Sequence, residues 1–238
     1  MGIERVPKEL REMFRHIPAA TATDAMAALG FRSTFMRGIR SLLPGHTVVG
    51  SAITVRFVPM REDLSRPADL SPMPDFQAVE SVEPGDVVVY DASWSVGAVI
   101  GDVILTRLKV RGVGGIVTDG DVRDLPAMKG MGIPIFARGT DPYSGGHTLY
   151  PVDFNIPIQC GGVAVFPGDL ILGDDDGIMV IPRGRAKEVY SLAGEKEDLE
   201  AYIRHKLITE GATLAKFYPP KKEHAEAAAK YKAGLQRR

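Results

Sequence analysis

Three carboxylates and one guanidinium are gathered in the short segment from residue 119 to residue 124. Asp119, Asp121, Arg123 and Asp124 follow directly on Gly115–Thr118, an apolar run typical of a strand that is buried on both faces. Carboxylate oxygens suit Mg²⁺ or Mn²⁺ better than Zn²⁺, and magnesium commonly needs only one or two of them. An adjacent arginine can donate two hydrogen bonds to a carboxylate or an enolate. The segment fits a metal-assisted oxyanion site, although it also fits a plain strand-end turn whose Arg and Asp pair on the surface.

A second candidate feature lies upstream, at Gly101, Asp102, Val103 and Ile104. If a helix begins near Gly101, its free N–H groups form an anion site. Alternatively, Gly101 is a packing glycine inside one longer helix over residues 97–110, whose apolar residues have roughly helical spacing. Asp102 would face either the cleft, as a base or a ligand to water, or the solvent. Because ligands in α/β sheets collect where strands end, we expect both features to face one cleft.

Three other suggestive motifs have simpler explanations. The GVGG stretch at 112–115 precedes a strand, whereas a dinucleotide-binding loop lies between a strand and a helix. Asp174-Asp175-Asp176-Gly177 lacks the later Glu of a calcium loop and predicts a hairpin turn. Cys160 has no supporting His or Asn pattern, so we expect a buried small residue rather than a nucleophile.

Composition limits the classes of protein to which the chain can belong. It has 238 residues, 45% of them hydrophobic, and a formal net charge of −1, which favours an ordinary globular core and no polyanionic partner. Aromatic residues make up only 7% of the chain, too few for a base-stacking platform. The charged amino terminus lacks the apolar core of a signal peptide, and no apolar run approaches about 18 residues. We therefore expect a soluble, cytoplasmic protein with no nucleic-acid or membrane partner.

Periodicity and turn residues predict the elements that position the two features. We expect strands at 87–90 and 133–137, and one long or two short strands at 46–58 around Gly50-Ser51. A surface helix is expected at 8–16, and a short helix after an N-cap at Thr23-Asp24. Two hairpin-like units are expected at 163–172, turning at Pro167-Gly168-Asp169, and at 170–182, turning at Asp176-Gly177.

Two regions do not fit the strand pattern of this core, the segment from Pro59 to Pro74 and the carboxyl-terminal region. In the segment from Pro59 to Pro74, four prolines, at 59, 67, 72 and 74, argue against regular structure, so this segment is either a lid over a site or an inert surface loop. After Pro182 the pattern is helical, at 186–192 and 195–208, and the tail from Lys221 is either a helix that packs on another subunit or a solvated extension. We expect a domain over 1–182 and a helical extension over 183–238 that contacts other subunits.

Six ordered motifs resemble the RraA-like family: GSAITV, PGDVVVYD, GDVI, RGVGGIVTDGDVRD, CGGVAVFPGD and GDDDGIMVIP, between about Thr21 and Ile181. That family includes the 4-hydroxy-4-methyl-2-oxoglutarate and 4-carboxy-4-hydroxy-2-oxoadipate aldolases and the protein regulators of ribonuclease E activity. The resemblance implies an α/β fold, a layered β/β/α swivelling-domain sandwich with C-terminal helices. It also implies homotrimers or homohexamers with active sites between subunits.

The resemblance also assigns roles to residues. In the aldolases of the family, a G-x-x-x stretch binds substrate through backbone amides, and here it falls on Gly101, Asp102, Val103 and Ile104. An R-D pair follows, which here is Arg123 and Asp124. Family aldolases often carry Glu where this chain has Asp102. Some members also use a glutamate from a neighbouring subunit's C-terminal helix, for which Glu195 and Glu197 are the candidates.

The activity implied by the resemblance is that of a class II aldolase, a divalent-metal-dependent lyase that releases pyruvate from a 4-hydroxy-2-oxo dicarboxylic acid. Asp124 would hold Mg²⁺ or Mn²⁺, and Arg123 would donate to the keto oxygen as it becomes an enolate, a role worth about 3 kcal/mol. Asp102 or Asp119 would hold the water that takes the 4-hydroxyl proton. Oxaloacetate decarboxylation needs the same enolate and is expected too. The alternative is a non-catalytic binding protein of the ribonuclease-E-inhibitor type, and the intact Arg123-Asp124 pair favours the enzyme.

Overall fold

The computed structural model describes residues 2–61, 63, 73–92 and 96–235. Most of the proline-rich excursion lies outside these ranges, so the choice between a lid and a surface loop stays a prediction. The strands are β1 (Phe35–Met36), β2 (Arg40–Ser41), β3 (Val48–Pro59), β4 (Val87–Asp91), β5 (Ala98–Ile100), β6 (Gly115–Thr118), β7 (Asp121–Val122), β8 (Ile135–Ala137), β9 (Gly139–Thr140), β10 (Leu149–Phe154), β11 (Ile158–Cys160), β12 (Val163–Val165), β13 (Leu170–Asp174) and β14 (Gly177–Ile181). The helices are α1 (Lys8–Phe14), α2 (Ala19–Ala28), α3 (Pro74–Ser81), α4 (Asp102–Arg111), α5 (Leu125–Lys129), α6 (Ala186–Glu210) and α7 (Lys222–Leu235).

The central sheet is built around four parallel strands in the order β3-β4-β6-β8. β2 lies antiparallel to β8 at one edge, and β13, β14 and β1 continue the sheet beyond the first half of β3. β10 pairs with the second half of β3. Three short strands, β5, β7 and β9, form a separate parallel sheet. Each of them follows one of the parallel strands in the chain, so the small sheet extends the carboxyl ends of β4, β6 and β8.

Alternate residues of the central strands face two different apolar layers. On one face, Ile53 and Val88 belong to a buried cluster shared with α3, α4 and α5. On the other face, Val89 and Val117 pack with the β11–β12 hairpin. A third cluster joins α1, α2 and α6 to β13 and β14. The expected layered β/β/α sandwich with C-terminal helices is therefore confirmed.

Several elements expected from the sequence are present at their predicted positions. The strands at 87–90 and 115–118, the helix near 8–16 and the β13–β14 hairpin are confirmed. β3 is one continuous strand through Gly50. Cys160 is buried, as expected of a small core residue.

Three local predictions were wrong, and one open alternative was decided. Ala98–Ile100 pairs with β7 before the helix begins, so the apolar pattern of 97–110 is divided between β5 and α4 and does not form one longer helix. α2 begins after Pro18, so Thr23 lies inside it and its hydroxyl donates to the carbonyl of Ala19. Pro74 opens α3 as its first residue, a position where proline needs no N–H partner. β12 pairs with β11 rather than with β13, which lies between β3 and β14.

The carboxyl-terminal region consists of two helices that pack on each other. Residues 186–210 form one uninterrupted helix instead of the two expected. The tail forms α7, and Tyr231 packs its ring on Tyr202 and His205 of α6, so within this chain the tail helix covers α6. Of the helices in the described ranges, none is long and apolar enough to cross a membrane.

Candidate active site

The junction between β5 and α4 brings the two sequence features together. The backbone N–H of Arg123 donates to the carbonyl of Ile100 at 3.1 Å, which ties the end of β7 to the end of β5. Gly101 is extended and precedes α4, whose first backbone hydrogen bond runs from Leu105 N–H to the Gly101 carbonyl at 3.1 Å. The N–H groups of residues 102–104 therefore have no partner inside the helix. Of the two alternatives for Gly101, the structure has the helix start.

Arg123 and Asp124 lie directly against Gly101. Arg123 Nε is 3.3 Å from Asp124 Oδ2, and each side chain is about two-fifths exposed. A β-carbon at Gly101 would lie 2.6 Å from Asp124 Oδ2 and 3.1 Å from Arg123 Nε, so a larger residue here would displace the ends of these two side chains. Asp124 is in the left-handed region at φ 58°, which aspartate tolerates better than most residues. Such backbone outliers concentrate at functional sites.

A cavity of about 170 Å³ lies beside this junction. Its polar lining includes Asp75, Gly101, Arg123 and the loop 144–146. Its apolar walls are formed by Phe57, Phe76, Val99, Ile100, Ile104 and Leu149. Within the described ranges, the lining contains Gly101 and Ile104 of the predicted substrate stretch but neither Asp102 nor Val103. Asp102 is half-buried in the first turn of α4, and the Val103 side chain is 78% exposed.

Sequence reasoning missed two contributors to this cavity. Asp75 lies in the first turn of α3 and is only 9% exposed. Burial raises the pKa of the nearby Tyr90 hydroxyl, and the negative charge of Asp75 raises it further. The loop 144–146 reaches the cavity because Gly145 approaches β5 closely, and a β-carbon there would lie 2.5 Å from the Ala98 carbonyl oxygen. Ser144-Gly145-Gly146 is a turn signal for this loop, whereas α3 has no such signal, because Pro74 argues against regular structure.

The other two carboxylates of the 119–124 segment bind residues other than Arg123 and Asp124. Asp121 pairs with Arg138, and both are largely buried. Asp119 is fully buried and accepts hydrogen bonds from Ala92 N–H at 2.8 Å, Gln159 Nε2 at 2.8 Å and Gly161 N–H at 3.4 Å. Burial raises the pKa of the Asp119 carboxyl, against the lowering effect of the Ala92 N–H. Because Asp119 joins β6 to the β11–β12 layer, the expectation that it holds a water in the site was wrong.

The donor set limits which metal the site could hold. Within the described ranges, no group of three or more His, Cys, Asp or Glu side chains is arranged to bind a metal. Zinc sites commonly need at least three protein ligands, whereas Mg²⁺ is often held by one or two carboxylates plus water and substrate oxygens. Asp124 offers one solvent-accessible carboxylate beside a cavity that can admit a substrate. The residues present therefore fit Mg²⁺ or Mn²⁺.

The two candidate glutamates on α6 have different surroundings. Glu197 accepts a short hydrogen bond from the Thr21 hydroxyl and lies 3.5 Å from Arg204, so it is engaged within its own chain. Glu195 is exposed and borders a groove that is also lined by Tyr218 and Pro220. Glu195 is thus the more accessible of the two.

The chain is similar in sequence and in structure to several known proteins. A family profile described as RraA-like, Aldolase/RraA, matches residues 19–180. A protein of Halalkalibacterium halodurans named "Putative 4-hydroxy-4-methyl-2-oxoglutarate aldolase" is 36% identical over 213 residues, 89% of this chain and 94% of that protein. RraAS2 of Streptomyces coelicolor, described as an unusual member of the RNase ES inhibitor RraA protein family, superimposes with a TM-score of 0.78 at 35% identity, covering 85% of this chain and 99% of that one. An uncharacterized protein from Pseudomonas syringae pv. tomato superimposes with a TM-score of 0.77 at 27% identity, covering 90% and 98% of the two chains.

Proposed function

The chain belongs to the RraA-like family, and from that membership we propose that it is a divalent-metal-dependent lyase that releases pyruvate from a 4-hydroxy-2-oxo acid. Dicarboxylic acids of this class are the first candidates, and oxaloacetate decarboxylation accompanies the cleavage. The observation that carries the proposal is the contact of Gly101 with Arg123 and Asp124 beside a cavity. It brings Arg123 and the start of α4 to one cavity, and the Asp124 carboxylate lies against Gly101, next to the residues that line this cavity.

The chain's own residues supply the binding of the 2-oxo acid. The N–H groups in the first turn of α4, which have no partner inside the helix, and the positive end of the helix dipole favour an anionic carboxylate there. Arg123 donates hydrogen bonds to the keto oxygen, which becomes negatively charged as the enolate forms. Donors that are fixed before the reaction stabilise such charge with little reorganisation, and one of them contributes about 3 kcal/mol.

Asp124 is the residue proposed to hold Mg²⁺ or Mn²⁺. When bound, the metal supplies Lewis-acid chemistry to the oxygens of the 2-oxo acid. The left-handed backbone of Asp124 and its contact with Gly101 fix the carboxylate at the end of β7. A base must also receive the 4-hydroxyl proton, and Asp102 stays the sequence-based candidate for holding the water that takes it.

Pyruvate release tests the proposal directly. Oxaloacetate and 4-hydroxy-4-methyl-2-oxoglutarate are each supplied with Mg²⁺, with Mn²⁺ and with chelator, and pyruvate is measured for the wild type and for Asp124→Asn. We expect metal-dependent turnover that the substitution lowers about 100-fold or more. Asp176→Asn, in the exposed β13–β14 turn, is the matched control and should turn over like the wild type. Turnover that survives chelator, or that Asp124→Asn leaves intact, contradicts the proposal.

A second candidate function is a binding protein of the ribonuclease-inhibitor type, favoured by the 35% identity to RraAS2. Such a protein needs no metal chemistry, so wild-type protein without turnover on either substrate supports it. Assembly is part of the main proposal, because sites between subunits need a homotrimer or homohexamer and the exposed Glu195 could reach a neighbour. Light scattering at micromolar concentration measures the subunit count, and a monomer contradicts this part.

A further inference from the structure

Phe76 and Ile104 form a wall between the candidate active-site cavity and a neighbouring groove. Both residues line the cavity of about 170 Å³ that is also lined by Gly101 and Arg123. Both residues also line a groove of about 330 Å³ between α3 and α4. A residue that borders two adjacent spaces lies between them. Phe76 and Ile104 therefore separate the cavity from the groove.

The wall is apolar and is built by two neighbouring helices. Phe76 lies in the first turn of α3, and Ile104 lies in the first turn of α4, where it packs on the buried cluster that both helices share. On the far side of the wall, Val103 borders the groove, and its side chain is 78% exposed. The groove is therefore a second, partly apolar space that the wall closes off from the cavity.

The position of the wall indicates which part of a substrate it meets. The 2-oxo acid end is assigned to Arg123 and the first turn of α4. The carbon chain beyond that end lies in the rest of the cavity, where Phe57, Phe76 and Leu149 form apolar walls. Of the substituents on C4, an alkyl group suits these walls because its burial removes apolar surface from water. A carboxylate buried against them without a partner would cost free energy.

We propose that Phe76, together with Ile104, limits the size of the C4 alkyl substituent that the site accepts. This inference rests on the proposed lyase function. A methyl group is accepted, whereas a longer alkyl chain is excluded because it would have to pass the wall into the groove. Side chains that fill a pocket discriminate in this way, and one methylene group changes kcat/KM by about 10–200-fold. Phe76 thus acts on the choice of substrate and leaves enolate formation unaffected.

Removal of the Phe76 ring tests the size limit. The substrates are 4-hydroxy-4-methyl-2-oxoglutarate and its 4-butyl analogue, and pyruvate release is measured for both. The wild type should prefer the methyl compound by at least about tenfold in kcat/KM. In Phe76→Ala the cavity and the groove become one space, so kcat/KM for the butyl compound should rise by about tenfold or more. Phe76→Leu, which keeps more of the side-chain volume, should give a smaller rise.

A second variant opens the same wall from the other helix. Ile104→Ala removes side-chain atoms on α4 and should shift the preference toward the butyl compound, as Phe76→Ala does. Oxaloacetate has no alkyl substituent, so its decarboxylation should be unchanged in a variant that is folded at the site. If Phe76→Ala loses decarboxylation, the result for Ile104→Ala decides. Phe166→Ala, at an exposed phenylalanine that lines a different groove, is the matched control and should keep the wild-type preference.

The outcomes separate this inference from the proposed function. A wild type that cleaves both compounds equally well overturns the size limit while the lyase function stands. The same holds if variants that still decarboxylate oxaloacetate keep the wild-type preference. Absence of metal-dependent turnover in the wild type on every substrate overturns the proposed function, and this inference with it.

Discussion

Gly101 and Asp124 are in contact across the junction of β5 and β7, with space for a hydrogen but not for a methyl group. A β-carbon on Gly101 would lie 2.6 Å from Asp124 Oδ2, well inside van der Waals contact. The two residues are 23 positions apart in the sequence, and they meet because Arg123 N–H donates to the Ile100 carbonyl. The glycine thus sets the distance between the start of α4 and the carboxylate.

Gly101→Ala should impair the site without unfolding the protein. The backbone at Gly101, φ −125°, suits alanine, and the atoms that must move are the side-chain ends of Asp124 and Arg123. Because displacements of about 1 Å can cost about 100-fold in rate, we expect pyruvate release to fall by about that factor with little change in melting temperature. Gly184→Ala, where no described atom lies within 4 Å of the new carbon, is the control. Wild-type rates for Gly101→Ala would show that the contact has no catalytic consequence.

Arg123→Lys should weaken both cleavage and decarboxylation although it keeps the positive charge. A lysine lacks the planar fork that donates two parallel hydrogen bonds to an oxyanion. We expect kcat to fall by about 100-fold for both reactions, whereas KM changes less because charge attraction persists. Steady-state kinetics check this split. Arg107→Lys on the exposed face of α4 is the matched control, and a selective effect of Arg123→Lys on KM alone would assign Arg123 to binding only.

Much of the fold and part of the site could be predicted from local sequence. The runs at 87–90 and 115–118 are buried on both faces and have no helical alternative of sufficient length, so their strands were predictable. The motif resemblance pointed to Gly101, Arg123 and Asp124, and the structure has these three side by side. Their catalytic roles stay predictions.

What could not be predicted depends on contacts between distant parts of the chain. Val163–Val165 has the same local pattern whether it pairs with β11 or β13, and only the position of β13 between β3 and β14 decides it. Asp75 reaches the cavity because α3 packs beside α4, a relationship that no local spacing encodes. The prolines around α3 also concealed it, since proline both breaks helices and begins them.

Gly50→Ala should destabilise the whole domain. Gly50 lies within β3, where a β-carbon would be 2.2 Å from the Gly85 carbonyl oxygen and 2.7 Å from Val87 Cγ2. These atoms belong to backbone and a buried strand and cannot move freely, so we expect a loss of about 3 kcal/mol. Gly194→Ala inside α6, with open space around the new carbon, should instead stabilise by about 0.5–1 kcal/mol. Chemical denaturation measures both, and equal stability of Gly50→Ala and wild type would contradict the close approach.

Asp119→Asn should destabilise the protein, and by an amount that depends on pH. Asp119 accepts from three N–H donors, and an asparagine amide would turn its own NH₂ toward one of them, at a cost of about 1–3 kcal/mol.

Burial raises the folded-state pKa of Asp119 above its ordinary value of 3.8. The raised pKa favours the protonated Asp119 carboxyl in the folded protein. Asp119 therefore adds most to the free energy of unfolding at pH values below its unfolded-state pKa, and this contribution is lost as pH rises through its folded-state pKa. The difference in unfolding free energy between wild type and Asp119→Asn should therefore shrink as pH rises from 3.8 through the raised folded-state pKa of Asp119. Urea denaturation at several pH values measures this difference, and Asp176→Asn is the exposed control. A difference that grows with pH would show that the three hydrogen bonds to the charged carboxylate outweigh the cost of burying it.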